Sequence, residues 1–111
     1  MTDRDRLIEA VEAGAWADKS DVQNFYRHCE VVFPKDDREL WIDAFNAYNG
    51  SLDAALRLHE ALLPGWRWNA WAVGGATVWN DIANVHTAEN SNPARAWLLA
   101  ILRALKAKGD A

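Results

Sequence analysis

The sequence predicts a mostly helical α+β domain with a short antiparallel hairpin packed between helices. Five stretches repeat apolar residues at the i, i+3, i+4, i+7 spacing of a buried helix face. Between the fourth and the fifth, over residues 66–73, the rhythm changes to the period of two that a strand requires. Pro64-Gly65 and Gly74-Gly75 stand on either side of that change, which places a hairpin over residues 66–84. A chain of 111 residues is enough for one domain with a real core and too short for two. Within it, residues 1–63 form the helical half, and residues 64–108 hold the hairpin and the last helix.

The first helix is expected over residues 3–15. Thr2 can cap it, Asp3 and Asp5 face the positive end of its dipole, and Leu7, Ile8, Val11 and Ala15 form its stripe. Trp16 follows directly and should fold back as a plug. A Ser20–Gln23 capping box opens the second helix, over 21–32, whose stripe is Val22, Phe25, Tyr26, Cys29, Val32 and Phe33. Pro34 ends it. Asp36 and Glu39 read as a second capping box for a helix over 37–48, carrying Trp41, Ala44, Phe45 and Tyr48.

Residues 49–73 hold the densest set of local signals. Asn49-Gly50 suits a helix stop, and Ser51 caps the next helix, over 51–63, with Asp53 in its first turn. Leu52, Ala55, Leu56, His59, Leu62 and Leu63 make one packing face. Gly74-Gly75 reads as a two-residue hairpin turn, which pairs Trp71 with Val78, Ala70 with Trp79, and Trp68 with Asp81. Trp66, Trp68, Ala70, Trp79 and Asp81 would then share one face. Arg67, Trp71, Val73, Val78 and Ile82 would share the other, so both faces call for cover. Residues 87–92 read as a polar loop. Asn92-Pro93 then opens the last helix, over 93–108, with Ala94, Trp97, Leu98, Ile101 and Leu105 inward.

Candidate chemistry is sparse. Adjacent residues on a helix point about 100° apart, so His28-Cys29 is a poor nucleophile and base pair, and Cys29 lies on the apolar stripe. His59-Glu60 begins a zinc-helix pattern that fails at Leu63, and His59 reads as a core histidine with a hydrogen-bond partner. His86 and Asp81 have no ligand spacing, so neither metal nor cofactor is expected. Asp36, Asp37, Glu39 and Asp43 read as caps and a solvated face.

Composition narrows the class of function. The net charge of −4, from 16 acidic and 12 basic residues, weighs against binding that depends on neutralising phosphates, so direct nucleic-acid binding is not expected. The single cysteine suits a reducing compartment, and no apolar run has the length of a signal core or membrane span. A cytoplasmic, membrane-free protein is the expectation. Seven tryptophans are the unusual feature. Trp41, Trp66 and Trp97 fall at core positions, whereas Trp68, Trp71 and Trp79 cannot all be buried under a single helix layer. The expected binding surface is therefore Trp68 and Trp79, with Arg67 and Asp81 beside them.

Two segments carry a resemblance. Residues 47–66, containing Ser51-Leu-Asp-Ala-Ala-Leu56 and Leu63-Pro-Gly-Trp66, and residues 92–105, containing Pro93-Ala-Arg-Ala-Trp-Leu-Leu-Ala-Ile-Leu-Arg-Ala-Leu105, resemble the phage ABA sandwich domain family. The resemblance implies a small antiparallel sheet with helices on its faces and a phage or prophage context. It carries over no catalytic or binding residue, and the helical first half departs from it.

The expectation is thus a non-enzymatic phage interaction module that engages a bacterial host protein, in its most concrete form a component of host defence. A small-ligand binder of nucleotide-like molecules is the rival reading, and an accessory phage protein without a dedicated site is the third. The oligomeric state is left open. A concave pocket of roughly 300 Å³ or more with converging polar groups would favour the ligand reading, and a flat patch the protein partner.

Overall fold

The computed structural model describes residues 2–16, 22–33, 37–81 and 84–108. Its elements run α1 (Asp3–Ala13), α2 (Val22–Val32), α3 (Arg38–Tyr48), α4 (Leu52–Leu62), β1 (Arg67–Trp71), β2 (Gly75–Asp81), β3 (Asn84–Glu89) and α5 (Pro93–Ala107). All five helices lie where periodicity and caps place them, and the α+β class holds.

The caps explain the boundaries. Thr2 Oγ1 accepts the Asp5 N–H at 3.1 Å while the Asp5 carboxylate accepts the Thr2 N–H at 3.2 Å, a reciprocal capping box. Ser51 Oγ accepts from Ala54 N at 3.1 Å, and Asn92 Oδ1 accepts from both Ala94 and Arg95. For α3 the cap is Asp37, whose carboxylate accepts from Leu40 N. Asp36 and the Ser20 half of the expected box on α2 lie outside the described residues.

The fold is organised around α5 and not around the richly signalled stretch before it. Of its 15 residues, nine are buried, and they lie all round the helix: Ala96, Leu99, Ala100, Leu102 and Ala104 join the stripe read from the sequence. A helix apolar on every side belongs in the middle of a fold. α5 packs against all three strands on one side and against α1, α3 and α4 on the other. Trp16 is the expected plug. Its ring meets Phe25 and Tyr48 edge-on, and its backbone N–H donates to the Tyr48 hydroxyl at 3.0 Å. Arg95 completes that knot, lying 3.8 Å over the Tyr48 ring and donating to the Tyr48 carbonyl at 2.9 Å.

The sheet departs from the sequence reading in three ways. It has three strands in the order β1-β2-β3, all antiparallel, because residues 84–89 pair with β2 where a hairpin end and a polar loop were expected. The turn is a three-residue loop, Ala72-Val73-Gly74, closed by the Gly74 N–H donating to the Trp71 carbonyl at 3.1 Å, with Gly74 at φ +105°. Trp71 therefore faces Gly75, Trp68 faces Val78, and Arg67 faces Trp79. The third departure is cover. α5 supplies the substantial helix packing on the sheet among the described residues, and it covers one face.

Two contacts select this turn. The Gly74 carbonyl accepts from Asn90 N, and a Cβ on Gly74 would lie 2.3 Å from the Asn90 carbonyl oxygen. At Gly75 a Cβ would meet the Trp71 ring at 2.1 Å, so the indole lies across the bare glycine. Both glycines are needed, but only Gly74 for its backbone angle.

Candidate functional site

The corner that delivers β1 is built on His59. This histidine is buried in α4, and its Nε2 lies 2.9 Å from the Trp66 carbonyl. Its Nδ1 accepts the indole N–H of Trp97 at 3.3 Å. An indole nitrogen only donates, so Nδ1 must be the acceptor and Nε2 carries the proton that Trp66 receives. The expected core histidine thus has two partners, one on α5 and one on the strand entrance. Trp66, expected in the core, is only partly buried, and its ring stacks on His86 of β3 at 6.2 Å.

From that corner Trp68 extends along the inner face. Its ring stacks on the buried Trp97 at 4.2 Å, with 28° between the planes, yet it stays 43% exposed. Two open depressions flank it. One, of about 470 Å³, is lined by Leu56, Glu60, Pro64 and Trp66 among others. The smaller, about 170 Å³, is lined by Leu52, Asp53, Leu56, Ala70 and Trp97. Leu52 is itself exposed, so Trp68 and α4 present a continuous apolar strip. β1 is an edge strand, with β2 on one side and, among the described residues, no strand on the other. Alternation from the bonded Trp71–Gly75 end places the main-chain groups of Trp68 and Ala70 on that free edge.

The expected four-residue surface does not assemble. A shift of three residues in register moves the facing side chains of β2 to the opposite side, because strand side chains alternate. Trp68 is on the α5 face, and Trp79 is on the outer face opposite Arg67. Arg67 and Trp79 are therefore neighbours, and Trp68 is separate from both. The Asp81 side chain lies outside what the structure describes; its backbone pairs with Asn84, next to an irregularity in the ladder between Trp79 and Asp81. The outer face also carries Trp71 and the Thr77–Thr87 hydroxyl pair at 3.0 Å.

Other candidates resolve as structure. Cys29 is wholly buried, and burial pushes its thiol well above the usual range, which removes it as a nucleophile. Asp43 pairs with Arg57 at 3.1 Å. Among the described residues no group of three or more His, Cys, Asp or Glu has the arrangement to hold a metal, and no helix is long and apolar enough to cross a membrane.

Sequence reasoning missed a second concavity, between α2 and α3. It measures about 460 Å³ and is lined by Gln23, Tyr26, Arg27, Glu30, Arg38, Trp41 and Ile42. Trp41 was read as core by its place in the stripe, but it is only partly buried and forms a wall of this groove. Arg27, one position after Tyr26 on α2, and Arg38, three before Trp41 on α3, were the available signal. Compared with known proteins, the chain matches no family model, no curated protein and no solved structure.

Proposed function

We propose that this chain is a non-enzymatic binding module that docks a protein partner on Trp68 and the free edge of β1. The observation that carries the reading is Trp68 itself: a large aromatic 43% exposed, braced from beneath by a buried Trp97, beside exposed Leu52 and an unpaired strand edge. An anchored aromatic loses little side-chain freedom on binding, and such residues dominate interface energetics. A strand edge adds main-chain hydrogen bonds to an extended segment of the partner. The depressions beside Trp68 are open, and the smaller one, against Leu52, Leu56 and Ala70, is mostly apolar, which suits a protein segment better than a small polar ligand. The resemblance of residues 47–66 and 92–105 supports a phage or prophage origin, and with it a bacterial host protein as partner, a component of host defence being the most concrete case.

The test pairs stability with capture. Wild type, Trp68→Ala, Leu52→Ala and the outer-face variant Val85→Ala are compared by melting temperature and by pull-down from host lysate. The reading expects Trp68→Ala and Leu52→Ala to stay folded and lose a partner that Val85→Ala retains. A partner kept by both inner-face variants, or lost only with Val85→Ala, places the surface elsewhere.

A further inference from the structure

We infer that the groove between α2 and α3 is a binding site for a small organic anion with a flat body, of the nucleoside monophosphate class. Three observations meet there. The first is charge: Arg27 and Arg38 both line the groove, both are exposed, and neither has an ion-pair or hydrogen-bond partner among the described residues. Among the described lining residues Glu30 is the one acid, so their formal charges sum to a net positive on a chain of net charge −4. Of the acids near the start of α3, Asp37 caps the helix and Asp43 is held by Arg57, while Glu39 follows Arg38 in the first turn and is not among the lining residues.

The second observation is an unmet donor. The indole Nε1–H of Trp41 is buried and has no hydrogen-bond partner among the described residues. A buried donor without an acceptor costs free energy, and a small shift of the Trp41 indole would bring that donor to the oxygens of an anion held in this groove. Shape is the third. Tyr26 and Trp41 stand with ring centroids 6.0 Å apart and planes at 44°, and Ile42 adds an exposed apolar edge. Aromatic walls take the flat face of a base, while guanidinium groups take a phosphate through paired N–H donors. A volume of about 460 Å³ holds a molecule of that size. This site lies on the helical half, apart from Trp68 and β1, and stands independently of the docking surface.

The experiment follows the tryptophan indole signals of ¹⁵N-labelled protein, with the Trp41 signal assigned as the one that Trp41→Phe removes. Titration with adenosine 5′-monophosphate at millimolar concentration should move that signal saturably. Adenosine alone and inorganic phosphate alone should each bind at least about tenfold more weakly. Arg27→Gln and Arg38→Gln should each weaken the nucleotide about tenfold while leaving the melting temperature unchanged, because neither side chain has a partner among the described residues to lose. Arg67→Gln, on β1, should change nothing. The proposal is overturned if the adenine, guanine, cytosine and uracil monophosphates all leave the Trp41 signal unmoved. It also fails if adenosine binds as well as the nucleotide, or if the arginine variants bind as wild type does. A Trp41 signal moved by an acidic peptide and by no nucleotide would make the groove a peptide site instead, and would equally overturn it.

Discussion

Replacing His59 with leucine tests the corner on which the sheet hangs. Leucine keeps most of the buried volume and removes both hydrogen bonds, to the Trp66 carbonyl at 2.9 Å and from the Trp97 indole at 3.3 Å. Trp97 is 2% exposed, so its N–H would be left unsatisfied, at about 1–3 kcal/mol. The Trp66 carbonyl belongs to a partly exposed residue that water can reach, so its loss is the net value of one bond, about 0.5–1.5 kcal/mol. Together these give about 2–4 kcal/mol, read as a shift of the urea midpoint at unchanged slope. A second substitution sharpens the test. Trp97→Phe removes the stranded donor, so in the His59→Leu background it should cost less than it does alone, with a coupling of about 1 kcal/mol or more. A His59→Leu shift below about 0.5 kcal/mol, or strict additivity of the pair, would refute the argument that unmet donors set the cost.

Other predictions concern the turn, the termini and the thiol. Gly74→Ala combines φ +105° with a Cβ placed 2.3 Å from the Asn90 carbonyl oxygen, and should cost about 2–4 kcal/mol in denaturant unfolding. Gly65→Ala, at φ +83° but in open space, should cost about 1 kcal/mol; equal costs would show that the Asn90 contact is unimportant. The Lys106 ammonium, followed by the Thr2 N–H and hydroxyl, holds the Asp5 carboxyl down to about 2, joining the start of α1 to the end of α5. A depressed folded value means that its stabilisation is present above the ordinary value of 3.8 and disappears as pH falls toward 2. Wild type should therefore exceed Asp5→Asn in melting temperature at neutral pH and converge with it in that acid window; a gap independent of pH rules the linkage out. Cys29 should react with a disulfide reagent at pH 8 only as fast as the protein unfolds, and prompt stoichiometric labelling of the native protein would contradict its burial.

The helices were legible because their determinants are local. Thr2, Ser51 and Asn92 cap from within a turn of the groups they satisfy, and stripes such as Phe25–Cys29 or Ala44–Tyr48 recur at a spacing that needs no partner to be recognised. His59 was legible as a core histidine for the same reason. The sheet was not. Two adjacent glycines permit either turn, and the choice rests on Asn90, which grips the Gly74 carbonyl from a segment 16 residues away, and on the Trp71 ring across Gly75. That choice moved the register by three residues and parted Trp68 from Trp79, since an odd shift exchanges the faces of a strand. β3 carries few strand formers, and Ala88 is its one buried residue; pairing to β2 and contact with α5 make it a strand. The groove between α2 and α3 likewise needed two helices placed side by side before Arg27, Arg38 and the Trp41 indole met. By itself the chain determined what neighbours three or four residues apart decide: five helices, their ends and one inward histidine. Register, the exposure of each tryptophan and the meeting of distant arginines were decided only by tertiary structure, because each depends on contacts between segments that are remote in sequence and close in space.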